Sequence, residues 1–280
     1  MHSHNLDQEY LWQWYKVQFL MEKLCLVFGI FLGVIGTWVI MVLFRNQKTA
    51  HKSELDVPDT NEFSESSIKA ESVLIKTNED SSNAIIMISK AYYLGISGFH
   101  SENQKLLGEI EAEIEEFNQR VRKLKANTFL ILQQLQQGSI ETGHFYVQIV
   151  DYMREMAHSI KYVVLPLNVH LMNKYKPFAE DQNVELTQFS NQVTDFLNFA
   201  LHIIKESRFE QIDDLIQKRQ SILELILEQE KQEIHRIKRK ETNTSNAVLY
   251  FGVMSETKHL LLQTVNLLKA TRDFVSYTKS

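Results

Sequence analysis

From residue 82 to residue 277 apolar side chains return every three or four positions in six consecutive segments. These are about 82 to 99, 102 to 137, 140 to 174, 180 to 205, 208 to 240 and 244 to 277. This spacing predicts six amphipathic helices and almost no sheet. The whole chain has only three prolines and nine glycines, and it is rich in Leu, Ile, Glu, Gln and Lys, which lose little rotamer freedom in a helix. The expected breaks are local: Gly98-Phe-His-Ser, Gly138-Ser, Lys176-Pro177, Ser207-Arg and Thr242-Asn-Thr-Ser.

The six segments form two similar triplets, about 82 to 176 and 177 to 280. The second helix of each begins acidic, with Glu109, Glu111, Glu113, Glu115 and Glu116 in one and Glu210, Asp213 and Asp214 in the other. Each ends basic, at Arg120, Arg122, Lys123 and Lys125, then at Arg236, Lys238, Arg239 and Lys240. That polarity complements the helix dipole, which is the favoured explanation of the basic cluster; a phosphate-binding or lipid-binding patch is the alternative. The third helix of each triplet carries Glu-x-x-His, as Glu155–His158 and Glu256–His259, after a Glu-Thr pair at Glu141 and at Glu241. Duplication of a three-helix unit accounts for both patterns and places the two third helices in comparable positions.

Upstream lies a different kind of sequence. Leu24 to Phe44 holds 21 residues without a charge, which at about 1.5 Å per residue matches a hydrocarbon core of about 30 Å. A single transmembrane helix is expected there. Residues 1–23, with Trp12, Trp14 and Tyr15, suit an interfacial segment. Arg45, Lys48 and Lys52 follow the run, against Lys16 and Lys23 before it, so the C-terminal side is assigned to the cytoplasm and the protein to the cell (inner) membrane. Residues 45–81 read as a basic flank and a flexible acidic linker, since Ser53 to Ser81 contains eight acids against Lys69 and Lys76. Much of the formal charge of −5 belongs to that stretch, and no basic footprint for nucleic acid is left. Cys25 is the only cysteine, which excludes an internal disulfide or a thiolate metal site.

The polar residues of the third and last patterns invite a chemical reading. At about 100° per residue, His144, Asp151, Glu155 and His158 fall within a sector of about 60° on one helix. Glu256, His259, Gln263 and Asn266 form the second stripe. Asp151, Glu155, His158, Glu256 and His259 are candidate ligands for a divalent metal, the one cofactor the sequence suggests; helix-to-helix hydrogen bonding is the favoured alternative. Gln263 and Asn266 are weak ligands for transition metals. No glycine-rich phosphate loop or nucleophile arrangement is found, so a non-enzymatic role is expected.

The run I-E-T-G-H-F-Y-V-Q-I-V-D-Y-M-R-E-M-A-H-S at 140–159, with K-E-T-N-T-S-N-A-V-L-Y at 240–250 and S-E-T-K-H-L-L-L-Q-T-V-N-L-L-K at 255–269, resembles the C-terminal region of PiT-type inorganic phosphate transporters of Bacteroidetes. The likeness covers roughly Leu24 to Phe274. It implies an all-α, PhoU-like pair of three-helix bundles after the last membrane span, acting in regulation of phosphate transport. The family's G-A-N-D-type transport motifs have no counterpart in this sequence. PhoU proteins bind metal through acidic motifs near D-L-E-R-I-G-D; here Asp151 and Arg154 match, but Met153 and Ala157 stand where two acidic ligands would be.

The resemblance implies a membrane-anchored domain that acts on a transporter core or another membrane protein and meets inorganic phosphate only indirectly. An integral subunit of a split transporter and a metal-binding PhoU-like signalling protein are the alternatives. A homodimer is a further expected assembly.

Overall fold

A computed structural model describes residues 70–135 and 140–279. Among them the chain is all-helical, without a strand. The helices are α1 (Ala70–His100), α2 (Gln104–Ala126), α3 (Thr128–Leu135), α4 (Ile140–Met172), α5 (Glu180–Lys205), α6 (Ile212–Arg239) and α7 (Thr244–Lys279), with a 3-10 turn at Phe209–Gln211. The proposed membrane span, the interfacial segment and the break at Gly138-Ser lie outside the described residues. No described helix is long and apolar enough to cross a membrane.

The described helices belong to one compact unit, in which α1, α2 and α4 pack together and α5, α6 and α7 pack together. α1 lies on α5, and α4 runs along α7. Tyr146 meets Phe274 and Met156 meets Thr264, so α4 and α7 are antiparallel. The peripheral α2 buries one stripe, Leu107, Ile110, Ile114, Phe117 and Val121. The central α4 instead buries residues on several sides, including Ile149, Met156, Ala157, Ile160 and Val163, because α1, α2 and α7 all cover it. Gly95 marks the close approach of α1 to α4; a Cβ there would stand 2.8 Å from Val164 Cγ2. Between α1 and α7, Tyr92 Oη and Thr257 Oγ1 share a buried hydrogen bond of 2.8 Å.

Helix ends follow local chemistry. Asn103 Oδ1 accepts from the Leu106 amide at 3.1 Å to start α2, and Asn243 does the same for Asn246 at 2.9 Å ahead of α7. Lys240 closes α6 at a left-handed φ of 58°, with its amide donating to the Arg236 and Ile237 carbonyls.

Two boundaries differ from the sequence reading. The chain is already helical at Ala70, so residues 70–81 belong to the folded domain and not to the acidic linker. Val73, Leu74, Thr77 and Ser81 are buried there and continue the stripe of Ala84, Ile85 and Ile88. Two of the four are hydroxyl residues, which hid the pattern; Thr77 satisfies its hydroxyl on the Val73 carbonyl at 2.7 Å. The segment expected to be continuous from 102 to 137 is divided at Asn127 into α2 and α3. The division is slight, since Asn127 keeps right-handed helical angles and its amide still donates to the Lys123 carbonyl.

Asp80 lies in these added turns. Burial raises its carboxyl above the ordinary value, with Lys76 opposing and Glu79 reinforcing. The folded state therefore holds the proton more tightly than the unfolded chain. Stability should fall as pH rises from about 3.9, the unfolded value, through the raised folded value, and then level off. Asp80→Asn removes that slope and raises the melting temperature at pH 7; thermal unfolding followed by circular dichroism between pH 4 and 8 checks both.

Candidate functional site

The two polar stripes lie on the helices that pack together at the centre of the domain, yet their side chains are committed separately. Asp151 Oδ1 accepts from Lys125 Nζ at 3.2 Å, tying α4 to α2. Glu155 accepts from its neighbour Arg154 at 2.7 Å. His158 is exposed and leans on the Tyr162 ring at 4.4 Å, while His144 meets Phe145 edge-on at 5.7 Å. On α7, Asn266 Nδ2 donates to Gln263 Oε1 at 3.4 Å, Glu256 is half-buried and His259 exposed.

His158 and His259 are both exposed, so neither imidazole is buried in the α4–α7 seam. With Met156 opposite Thr264, His158 is level with Leu262, and His259 lies three residues further along, about 4.5 Å down the axis. Among the described residues, no group of three or more His, Cys, Asp or Glu is placed to hold a metal ion. Asp151, Glu155, His158, Glu256 and His259 are not gathered into one ligand set.

The basic cluster also divides. Lys238, Arg239 and Lys240 are exposed, and Arg239 pairs with Glu241 at 3.2 Å. Arg236 is not a patch residue: its side chain is only 6% exposed and forms the centre of a polar network joining α5, α6 and α7. Nε donates to Asp181 at 2.9 Å, Nη2 to Glu185 at 2.6 Å and Nη1 to Glu233 at 3.2 Å. Gln182 donates to the same Glu233 oxygen at 2.8 Å while its own carbonyl caps the Ala179 amide at 3.0 Å. Tyr250 Oη lies 2.7 Å from Gln229 Oε1 and 3.3 Å from Glu185.

The electrostatics of this network are uneven, with one guanidinium against three carboxylates. Burial works against the Arg236 charge, but hydrogen bonding and charge from Glu185, then Glu233 and Asp181, outweigh it and hold its proton more tightly. Burial, then the Glu185 charge, pushes the Tyr250 hydroxyl far above the usual phenol range. Glu233 is fully buried. The sequence signal for this centre was present: Ile222, Ile226, Glu233 and Arg236 share one three-and-four spacing, so two charged residues occupy core positions of α6.

Two grooves lie on the surface of the described residues. One, of about 310 Å³, is lined by Gly108, Glu111, Ala112, Ile114, Glu115 and Lys161. Its carboxylates are bonded, Glu115 to Lys161 at 3.1 Å and Glu111 to Asn168 at 2.8 Å. The other, of about 280 Å³, lies where the α1–α2 turn meets the α4–α5 connection, between Glu102, Leu171 and Tyr175.

No family model matches this chain, and no curated protein matches it. The link to phosphate transport therefore rests on the sequence runs quoted above.

Proposed function

We propose that this chain is a membrane-anchored, PhoU-like regulatory domain of inorganic phosphate transport, acting on a PiT-type transport core whose G-A-N-D-type motifs this sequence lacks. The observation that supports the reading is the packing of α1 on α5 and of α4 on α7, the helices that a duplicated three-helix unit would put in like positions. The shared Glu-x-x-His patterns lie on the paired α4 and α7, each after a Glu-Thr pair, Glu141-Thr142 within α4 and Glu241-Thr242 just ahead of α7. The apolar run Leu24 to Phe44 serves as the anchor in the cell membrane, with the helical domain on the cytoplasmic side. Residues 45–69 can extend to at most about 85 Å, enough for the domain to reach a neighbouring membrane protein, and the anchor raises its effective concentration there. The role is regulatory and not enzymatic.

Phosphate uptake in cells deprived of the chain tests this reading. Restoring the full chain should change uptake about fivefold or more, as a coupling of about 1 kcal/mol requires, while the anchor without residues 70–279 should not. Uptake that ignores the chain would overturn it. A second reading is an integral subunit of a split transporter, favoured by Gly29, Gly33 and Gly36, whose spacing suits close helix packing in a membrane. Gly33→Leu should abolish assembly under that reading and leave a simple anchor working.

A further inference from the structure

α6 carries a second apolar stripe that its own domain covers only at Leu223, which is partly buried against the core. Its core face uses Leu215, Ile222 and Ile226, with Glu233 and Arg236. One position along, Leu223, Leu227, Ile234 and Ile237 share a separate three-and-four spacing. Leu227 is 54% exposed, Ile234 45% and Ile237 44%. Lining the solvent edge of this stripe are Glu224 and Glu228 toward the N-terminal end and Lys231 and Lys238 toward the C-terminal end, all exposed.

We infer that this face pairs with a second copy of the same chain, α6 against α6 in antiparallel orientation about a two-fold axis near residues 230 and 231. That axis brings Leu227 of one copy to Ile234 of the other and Leu223 to Ile237, each contact occurring twice. It also sets Glu224 against Lys238 and Glu228 against Lys231 across the pair. A parallel arrangement would instead set this edge against the other edge of the partner's stripe and lose these acid-to-base pairings, so the charge order on the helix favours the antiparallel form. Glu230, which the axis would bring near its own copy, is neutralised within its chain by Lys258 at 2.7 Å. The internal pairing of Lys231 with Glu228 spans 3.8 Å between exposed groups and is weak enough to exchange for an intermolecular one.

The test uses the full chain in mild detergent, with mass measured by sedimentation velocity. The unmodified chain should sediment as a dimer. Lys231→Glu with Lys238→Glu, and separately Glu224→Lys with Glu228→Lys, should each weaken self-association by about tenfold or more, because like charges then face each other. An equimolar mixture of the two variants should regain the dimer. In a Cys25→Ser background, Lys231→Cys should cross-link to its copy under oxidation, since the axis passes beside it. All four charged positions are on the surface, so the variants fold. A chain that stays monomeric at about 100 μM, whether alone or bound through this face to another membrane protein, would overturn the proposal. So would a dimer indifferent to the charge reversals or lacking the residue 231 cross-link.

Discussion

Replacing Arg236 with methionine should destabilise the helical domain by about 3–5 kcal/mol, the usual cost of removing one partner from a buried ion pair. Methionine fills comparable space, so the loss isolates the charge. Without the guanidinium, Asp181, Glu185 and the fully buried Glu233 face one another with only Gln182 and Tyr250 as donors. In a domain of this size each kcal/mol moves the melting temperature by about 2–4 °C, so a fall of roughly 10 °C is expected. The double variant Arg236→Met with Glu233→Leu should recover most of it, because an apolar pair replaces the buried charge. Equal melting temperatures for the unmodified chain and Arg236→Met would mean that the network does not hold α5, α6 and α7 together.

A fragment beginning at residue 82 should be less stable than one beginning at residue 67 by about 3–6 kcal/mol. The shorter fragment loses the buried Val73 and Leu74 side chains, each contributing about 1.5–3 kcal/mol. It also uncovers the surfaces against which Thr77 and Ser81 are buried. Urea unfolding of both fragments measures the difference. The longer fragment should show the higher midpoint and the steeper dependence on denaturant, since it exposes more surface on unfolding. Coincident curves would return residues 70–81 to the linker.

The helical architecture was legible because punctuation and periodicity agreed. Lys176-Pro177 and Thr242-Asn-Thr-Ser separate apolar stripes whose spacing fits only helices, and α5 and α7 begin at Glu180 and Thr244, where those stripes begin. The start of α1 was missed because Thr77 and Ser81 bury a hydroxyl face, which a count of apolar residues does not register. Arg236 was misread for a related reason. Its position in a basic run suggests a surface, whereas its spacing from Ile222 and Ile226 places it inside.

The polar stripes on α4 and α7 show the limit of a one-helix argument. Helical spacing put His144, Asp151, Glu155 and His158 on one sector, but whether they meet Glu256 and His259 depends on the register between two helices far apart in sequence. That register is set by core contacts such as Tyr146 with Phe274 and Met156 with Thr264, whose partners the local pattern does not specify. The exposed stripe on α6, by contrast, was written in the sequence and became informative only when its exposure was known.

The proposal of a regulatory domain acting on a phosphate transport core is tested most directly by affinity purification of the tagged chain from its native membranes in mild detergent, followed by mass spectrometry of what comes with it. The account predicts recovery of a multi-span protein carrying G-A-N-D-type motifs, in an amount close to that of the tagged chain. Recovery of the chain without such a protein, under conditions that keep other membrane complexes whole, would contradict it.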